Sequence, residues 1–225
     1  MAWVWRTATV LGGVALTLTV FGFSFQPLLS PAYTEALVGA VDAPGRTGLS
    51  PEHVRELADD VRAFVAGVPG VELPDRLPDG RPAFGPDAVA HLDDVREVVV
   101  GARMIAWVAL ALSCAWAAWC LLGGADRRMM LARSLRGAAL ASASFVTVAA
   151  LVAVADFDAF FAGFHDVFFE PGTWTFPADA LLVRLFPEPF WVASGICWAA
   201  LGLLGAAFLG MCAWAIRRSS AEREA

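Results

Sequence analysis

Charge is scarce in this sequence, and its scarcity limits the classes of protein to which the chain can belong. Only 17% of the 225 residues are charged and 58% are hydrophobic. An ordinary soluble domain has about 25% charged and about 45–50% apolar residues. The composition therefore excludes an ordinary soluble enzyme.

The sequence contains four long apolar runs without a charged residue. They cover Thr7–Leu29, Met104–Ala125, Gly137–Ala155 and Pro189–Ile216. Because about 20 helical residues cross a bilayer, each run can form one span. The first run is too long for a typical signal peptide, so we interpret it as a retained helix. We therefore predict an all-α membrane protein with four transmembrane helices.

Cysteines and metal-binding motifs are also few. The four cysteines, Cys114, Cys120, Cys197 and Cys212, all lie inside the second and fourth runs, where free cysteine behaves as a small apolar residue. No disulfide framework is therefore expected. The chain has no compact ligand motif such as His-Glu-x-x-His and no basic stripe, so we expect no metal, no cofactor and no nucleic-acid partner.

The charges that are present divide unevenly between the two sides of the predicted membrane. The N-terminus, the segment between the second and third spans, and the C-terminal tail together carry a net charge of +5. The other two connecting segments carry −7 and −5. Because basic residues accumulate on the cytoplasmic side, we predict that both termini are cytoplasmic and that the two acidic segments are extracytoplasmic.

These signals divide the chain into eight predicted segments. They are the N-terminus with the first transmembrane helix (1–29), an extracytoplasmic cap with an amphipathic helix (30–97), the second transmembrane helix (98–125), a cytoplasmic loop (126–136), the third transmembrane helix (137–155), an extracytoplasmic aromatic loop (156–188), the fourth transmembrane helix (189–216) and a cytoplasmic tail (217–225).

The cap contains one well-marked helix. Ser50 is suited to the N-cap and Pro51 to the first helical position, and apolar residues at helical spacing continue to about Ala66. The stretch before this helix is rich in proline and glycine. After it, turns or a short hairpin are predicted around residues 78–80, and a helix from near Asp87 is predicted to continue into the second span.

Segment 156–188 is rich in aromatic residues, which are typical of the headgroup region of a membrane. We interpret most of its phenylalanines as an interfacial belt on a loop. A short helix is predicted to begin near Pro177 and to end before Pro187.

Only three histidines occur, His53, His91 and His165, and all three lie in the predicted outer segments. Histidine is suited to proton transfer near neutral pH because its unperturbed pKa is about 6.5. His53 is interpreted as an ordinary exposed residue of the cap helix. Because His91 and His165 each lie just outside a span, we expect them to converge in one polar pocket that opens to lipid at the outer membrane surface.

Charged residues near His91 are candidates for supporting roles. Asp94 follows His91 by three residues and shares a helix face with it, so its carboxylate could orient the imidazole. Arg96 and Arg103 lie on a different stripe of the same helix. A charge within a membrane span is often functional. Arg103 is, however, near enough to the outer boundary to extend toward water or to pair with Asp156 or Asp158, and we favour this structural role.

Two sequence patterns carry a resemblance to a known family. The first is His91-x-x-Asp94-Val95-Arg96, before the second span. The second, before the fourth span, comprises Phe164-His165-x-x-Phe168-Phe169, Trp174, Asp179-x-Leu181-Leu182 and Phe186-Pro187-x-x-Phe190. In these patterns, in their order and in its four-helix plan, the chain resembles the bacterial family of lipoprotein intramolecular transacylases.

The resemblance implies an enzyme of the bacterial cytoplasmic membrane. It would move the sn-2 acyl chain of a diacylglyceryl lipoprotein onto the amino group of that lipoprotein's own N-terminal cysteine. The implied catalytic residues are His91 and His165, and the supporting candidates are Asp94, Asp166, Trp174, Asp179, Arg96 and Arg103. The expected partners are the diacylated lipoprotein substrate and membrane lipid. Leu92 and Arg96 stand where relatives tend to have Met and Lys, which is a mild departure.

Two other functions are compatible with the same residues. One is a non-catalytic membrane scaffold or sensor, in which the histidines are structural or respond to pH. The other is a metal-dependent membrane hydrolase that uses His91, His165 and Asp94 or Asp166, since three such ligands plus water suit zinc. Acyl transfer needs only proton transfer from the attacking amine and to the departing oxygen, which imidazoles can perform without a protein nucleophile.

Overall fold

The structure is a computed structural model that describes residues 2–224, and helices make up most of this range. Their bounds are α1 Ala2–Phe25, a 3-10 helix Gln26–Leu29, α2 Pro31–Ala40, α3 Ala43–Thr47, α4 Pro51–Val65, α5 Pro86–Leu121, α6 Ala125–Ala155, α7 Phe157–Phe168, α8 Leu181–Leu185 and α9 Glu188–Glu224.

Four of these helices, α1, α5, α6 and α9, are long and apolar enough to cross a membrane. The stretches with this property are Trp3–Leu29, Pro86–Leu121, Ala125–Ala155 and Glu188–Ser220. Residues 2–224 contain no β-strand; an isolated antiparallel bridge joins Arg76 and Pro82, in the turn region predicted around residues 78–80. These observations confirm the prediction of an all-α membrane protein with four transmembrane helices.

Packing divides the chain into two compact units. The first, here called the bundle unit, comprises the residues up to 25, residues 103–154 and the residues from 198 onward. The second, here called the small-helix unit, comprises residues 26–102 and 155–197. Each unit has its own cluster of buried apolar side chains.

The core of the bundle unit combines residues from all four long helices. Its members are Leu16, Cys120, Leu131, Leu135, Ala138, Leu209 and Ala213. Polar side chains add interhelical hydrogen bonds: the indole of Trp116 donates to the hydroxyl of Ser134 (3.2 Å), which donates to the carbonyl of Thr9 (2.7 Å). Small and hydroxyl-bearing residues of this kind are typical of helix contacts in membranes.

Gly22 marks a close approach of α1 to α5 in the bundle unit. A Cβ at this position would overlap the Cβ of Ala106 and lie 3.2 Å from its Cα. Because overpacking of a well-packed contact costs about 1–3 kcal/mol, we expect Gly22→Leu to lower the midpoint of thermal unfolding in detergent, measured by tryptophan fluorescence. Gly137→Leu is the matched control, since nothing lies within 4 Å of its Cβ position. Equal midpoints for the two variants would contradict this account of the contact.

The small-helix unit is built around α4, which has the capping predicted from the sequence. The Ser50 hydroxyl accepts a hydrogen bond from the backbone N–H of His53, and Pro51 begins the helix. Val54, Leu57 and Val61, among others on one face, are buried in the unit's core. The prediction of a helix from Pro51 to about Ala66 is therefore confirmed.

Two stretches of this unit are more helical than the sequence indicated. The proline- and glycine-rich stretch before α4 contains α2 and α3, because Ser30 and Asp42 accept N-cap hydrogen bonds and a proline follows each cap. Segment 156–188, predicted as a loop with one short helix, contains α7 as well as α8. The Asp156 carboxylate starts α7 by accepting from the backbone N–H of Ala159 (2.9 Å). Helix α8 begins at Leu181 and not near Pro177.

Candidate active site

His91 and His165 lie side by side in the small-helix unit. His91 is on the first turns of α5 and His165 is on the last turn of α7. Their ring centroids are 6.2 Å apart and the ring planes are inclined by 27°. The structure therefore brings together the two histidines that the sequence placed in separate segments, at a separation that one water or one substrate group can bridge.

Helix α7 positions His165 by a repeat of four residues. Phe157, Phe161 and His165 follow one another at this spacing, so they share one face of the helix. Their rings are in contact, with centroids 5.9 Å apart for Phe157 and Phe161 and 4.0 Å apart for Phe161 and His165. The Asp156 cap therefore fixes the start of a helix whose aromatic face ends in an imidazole.

Aromatic rings surround the histidine pair. The ring of His91 is 5.0 Å from that of Phe169 and 5.5 Å from that of Phe176. The ring of His165 is 4.8 Å from that of Trp174 and 5.6 Å from that of Phe169. Most of the rings that contact the imidazoles are phenylalanines, so the surroundings of the pair are more apolar than the sequence indicated.

These phenylalanines are functional candidates that the sequence interpretation missed. Phe161, Phe169 and Phe176 were assigned to an interfacial belt. The four-residue spacing of Phe161, His165 and Phe169 was a signal that could have placed them together, but only if α7 had been recognised as a helix. Phe176 lies outside any helix, so no spacing rule predicted its contact with His91.

A backbone hydrogen bond fixes the tautomer of His165. Its Nδ1 lies 2.7 Å from the carbonyl oxygen of Phe161. Because a carbonyl only accepts hydrogen bonds, this contact requires a proton on Nδ1. Neutral His165 therefore keeps its lone pair on Nε2, the nitrogen that can accept a further proton.

Burial keeps His165 neutral. Desolvation lowers the pKa of the imidazole from its usual 6.5, and this effect outweighs the opposing effects of the Phe161 carbonyl and of the nearby Asp166 carboxylate. Near neutral pH the side chain is therefore a base rather than a cation.

His91 is more deeply buried than His165. Its exposed fraction is 8%, and its Nδ1 atom is buried without a hydrogen-bond partner. The exposed Asp94 carboxylate forms no hydrogen bond with it, so the structure does not contain the orienting contact expected from their spacing. The indole Nε1 of Trp174 is likewise buried without a partner.

The remaining supporting candidates lie in different places. Asp166 is exposed next to His165 and acts on it through charge alone. The guanidinium of Arg96 lies over the ring of Phe64 on α4, 5.1 Å from its centroid, and so packs on the core. Arg103 belongs to the bundle unit, and Asp179 is exposed in the turn before α8. Of the supporting candidates, the structure gathers Trp174 and Asp166 around His165.

Across residues 2–224 no group of three or more His, Cys, Asp or Glu side chains is arranged as metal ligands would be. This part of the chain therefore offers no ligand set for the metal-dependent alternative. The chemistry that the site can perform rests on imidazole nitrogens and on the indole N–H.

Residues 10–191 match the sequence model of a family described as lipoprotein intramolecular transacylase Lit. The chain belongs to the Lit family. No curated protein matches the sequence. Solved structures do match: the membrane-integral lipoprotein intramolecular transacylase Lit from Bacillus cereus superposes with a TM-score of 0.81 at 13% identity, covering 100% of this chain and 99% of that one.

Two variants of the Bacillus cereus protein, in which one histidine is replaced by arginine or by alanine, also match this Lit family member. Each has a TM-score of 0.78 and 12% identity; together they cover 99–100% of this chain and 96–97% of theirs. These likenesses show that the membrane fold is shared over the whole chain. The resemblance inferred from the two histidine patterns is confirmed at the level of the family.

Proposed function

We propose that this Lit family member is an active intramolecular transacylase. It transfers the sn-2 acyl chain of a diacylglyceryl lipoprotein to the amino group of that lipoprotein's N-terminal cysteine and leaves a lyso-form lipoprotein. The observation that carries the proposal is the His91–His165 pair, with 6.2 Å between the ring centroids and a free Nε2 lone pair on His165.

The reaction exchanges an ester for an amide. The nitrogen of the α-amine attacks the ester carbonyl carbon, the C–N bond forms, and the bond from this carbon to the glycerol oxygen breaks. The nitrogen loses one proton and the glycerol oxygen gains one, so no outside reagent is consumed. Because amine and ester belong to one molecule, binding it supplies the proximity that would otherwise require a second substrate.

His165 is the base in this scheme. Its Nε2 takes the proton from the amine nitrogen, while the bond from Nδ1 to the Phe161 carbonyl keeps the ring oriented and stabilises the imidazolium that forms. The proton accepted here is the one that the departing glycerol oxygen needs. His91, across the gap, passes it on, since an imidazole can accept a proton at one nitrogen and release it at the other.

Aromatic surroundings suit this substrate in two ways. The phenylalanine rings accommodate the acyl chain and the glycerol backbone, and they exclude water, which would otherwise hydrolyse the ester. Burial among these rings also outweighs the charge of Asp166, so that the pKa of His165 is lowered and its imidazole stays available as a neutral group. The substrate is a diacylated lipoprotein, and membrane lipid contacts the same protein.

The proposed location is the bacterial cytoplasmic membrane, with both termini cytoplasmic and the histidine pair extracytoplasmic, as the charge distribution indicates. We expect Ser50→Cys and Thr173→Cys to be labelled by a membrane-impermeant maleimide in intact cells. Asp126→Cys is the inward control and is expected to react only after permeabilisation. The unsubstituted chain measures any labelling of the four native cysteines. Protection of position 50 or of position 173 in intact cells would contradict this topology.

The activity itself is tested by expression in a host that makes diacyl lipoproteins. Tandem mass spectrometry of N-terminal lipopeptides is expected to show one acyl chain on glycerol and one on nitrogen. An unchanged diacylglyceryl cysteine with a free amine, at good expression, would favour the scaffold function instead.

A further inference from the structure

Trp174 carries a hydrogen-bond donor for which the structure provides no acceptor. The indole Nε1–H is buried and unpartnered, and an indole nitrogen can only donate. Burying such a donor without a partner is unfavourable and calls for an explanation. The side chain is not displaced toward solvent, since its ring packs against Phe161 with a centroid distance of 6.4 Å.

Other tryptophans of the chain show the usual arrangement. Trp116 donates to the Ser134 hydroxyl, Trp191 to the Phe186 carbonyl and Trp198 to the Phe21 carbonyl. Among the residues that the structure describes, Trp174 is the tryptophan whose N–H is buried and unsatisfied. Its unsatisfied donor is therefore specific to its position.

That position is beside the proposed base. The Trp174 and His165 rings have centroids 4.8 Å apart and planes inclined by 35°. The other rings that contact His165 are His91 and phenylalanines, and a phenyl ring has no N–H or O–H group. The Trp174 indole therefore adds a neutral, fixed donor to a cluster that otherwise lacks one outside the imidazoles.

Acyl transfer requires such a donor. When the amine attacks the ester, the carbonyl oxygen becomes an oxyanion in the tetrahedral adduct, and a preorganised N–H aimed at it lowers the barrier. We propose that the Nε1–H of Trp174 binds the ester carbonyl oxygen of the substrate and stabilises this oxyanion. The inference rests on the proposed transacylase function, and the substrate group reaches the N–H by entering the aromatic cluster.

The test separates the N–H from the shape of the ring. Trp174→Phe removes the donor, and incorporation of benzothienylalanine at position 174 replaces N–H by sulfur while keeping a bicyclic ring. Because removing one oxyanion donor typically costs about 10²–10³ in kcat, we expect both substitutions to lower kcat by about that factor. We expect a much smaller change in KM, measured with a purified diacylated lipopeptide in detergent micelles.

Trp191→Phe is the matched control. It removes an indole N–H of the same unit that already has an acceptor, the Phe186 carbonyl at 2.9 Å, and kcat is expected to stay within about threefold of the unsubstituted protein. Thermal unfolding of each variant checks that it is folded.

Each outcome decides between the two proposals. Full activity with benzothienylalanine at position 174 would overturn the oxyanion role, because the ring shape alone would then suffice. Unchanged activity of Trp174→Phe would do the same. Absence of product from the unsubstituted protein would overturn the transacylase function itself, and with it the oxyanion role that rests on that function.

Discussion

Replacing His165 by alanine is expected to reduce the rate of acyl transfer by about 10²–10⁴, which is the usual contribution of general acid–base catalysis. The Nε2 lone pair that accepts the amine proton in the proposed mechanism is then absent. His91→Ala is expected to cause a loss in the same range, because the proton then has no route to the departing oxygen. The measurement is the yield of N-acylated lipopeptide at equal amounts of membrane-inserted protein.

His53→Ala is the control for these variants. His53 also lies in the small-helix unit, and its Nδ1 is 2.9 Å from the Ser50 hydroxyl. The N-cap bond of α4 is nevertheless kept, since it uses the His53 backbone N–H. Activity is therefore expected to persist. Loss of activity in His53→Ala, or retention in His165→Ala, would be incompatible with the proposed mechanism.

The rate of acyl transfer is expected to fall in two stages as the pH is lowered. The α-amine of the substrate must be neutral to attack, and its unperturbed pKa is about 7.7–8.0. Below that range the rate falls about tenfold per pH unit. Burial lowers the pKa of His165 from its usual 6.5, so this base becomes protonated only at still lower pH. Below the pKa of His165 the rate falls about a hundredfold per pH unit, because both the substrate amine and His165 must then lose a proton before the reaction.

Asp166→Asn tests whether protonation of His165 causes the steeper fall of the rate at low pH. The Asp166 carboxylate raises the pKa of His165, so neutralising it is expected to move the steeper limb to lower pH while leaving the rate above pH 8 unchanged. Glu170→Gln, a change of similar charge at another exposed position just after α7, is the control and is expected to leave the profile in place. The assignment of His165 as the base fails if the steeper limb begins above pH 6.5 or does not respond to Asp166→Asn.

Much of the fold could be predicted because membrane spans follow from composition. Uncharged apolar runs of sufficient length specify α1, α5, α6 and α9, whatever their packing partners are. Helix α4 was equally accessible, since Ser50 and Pro51 are a strong start signal and its apolar spacing is regular. Short helices were harder to predict: α3 was missed and α8 was predicted with the wrong start, because five residues are too few for a periodic pattern.

The site was predicted less completely, for reasons of local geometry. The sequence identified His91 and His165 as a pair, but Asp94 was favoured as the orienting group because of its spacing on α5. In the structure the Asp94 carboxylate is exposed and makes no hydrogen bond with His91. The histidine that does have an orienting acceptor is His165, and this acceptor is the main-chain carbonyl of Phe161. A main-chain acceptor has no sequence signature. The aromatic lining was missed because Phe176 reaches His91 from a stretch without regular structure.

The hydrogen bond between His165 and the carbonyl of Phe161 does not depend on the side chain at position 161. In many enzymes the residue that orients a catalytic histidine is a carboxylate, and a single nucleotide change can remove it. Every amino acid at position 161 that keeps α7 intact retains the carbonyl that holds Nδ1. Phe161→Ala would therefore keep this hydrogen bond, although it removes the ring that packs against His165. The side chain at position 161 can thus vary without loss of the carbonyl acceptor that sets the tautomer of His165.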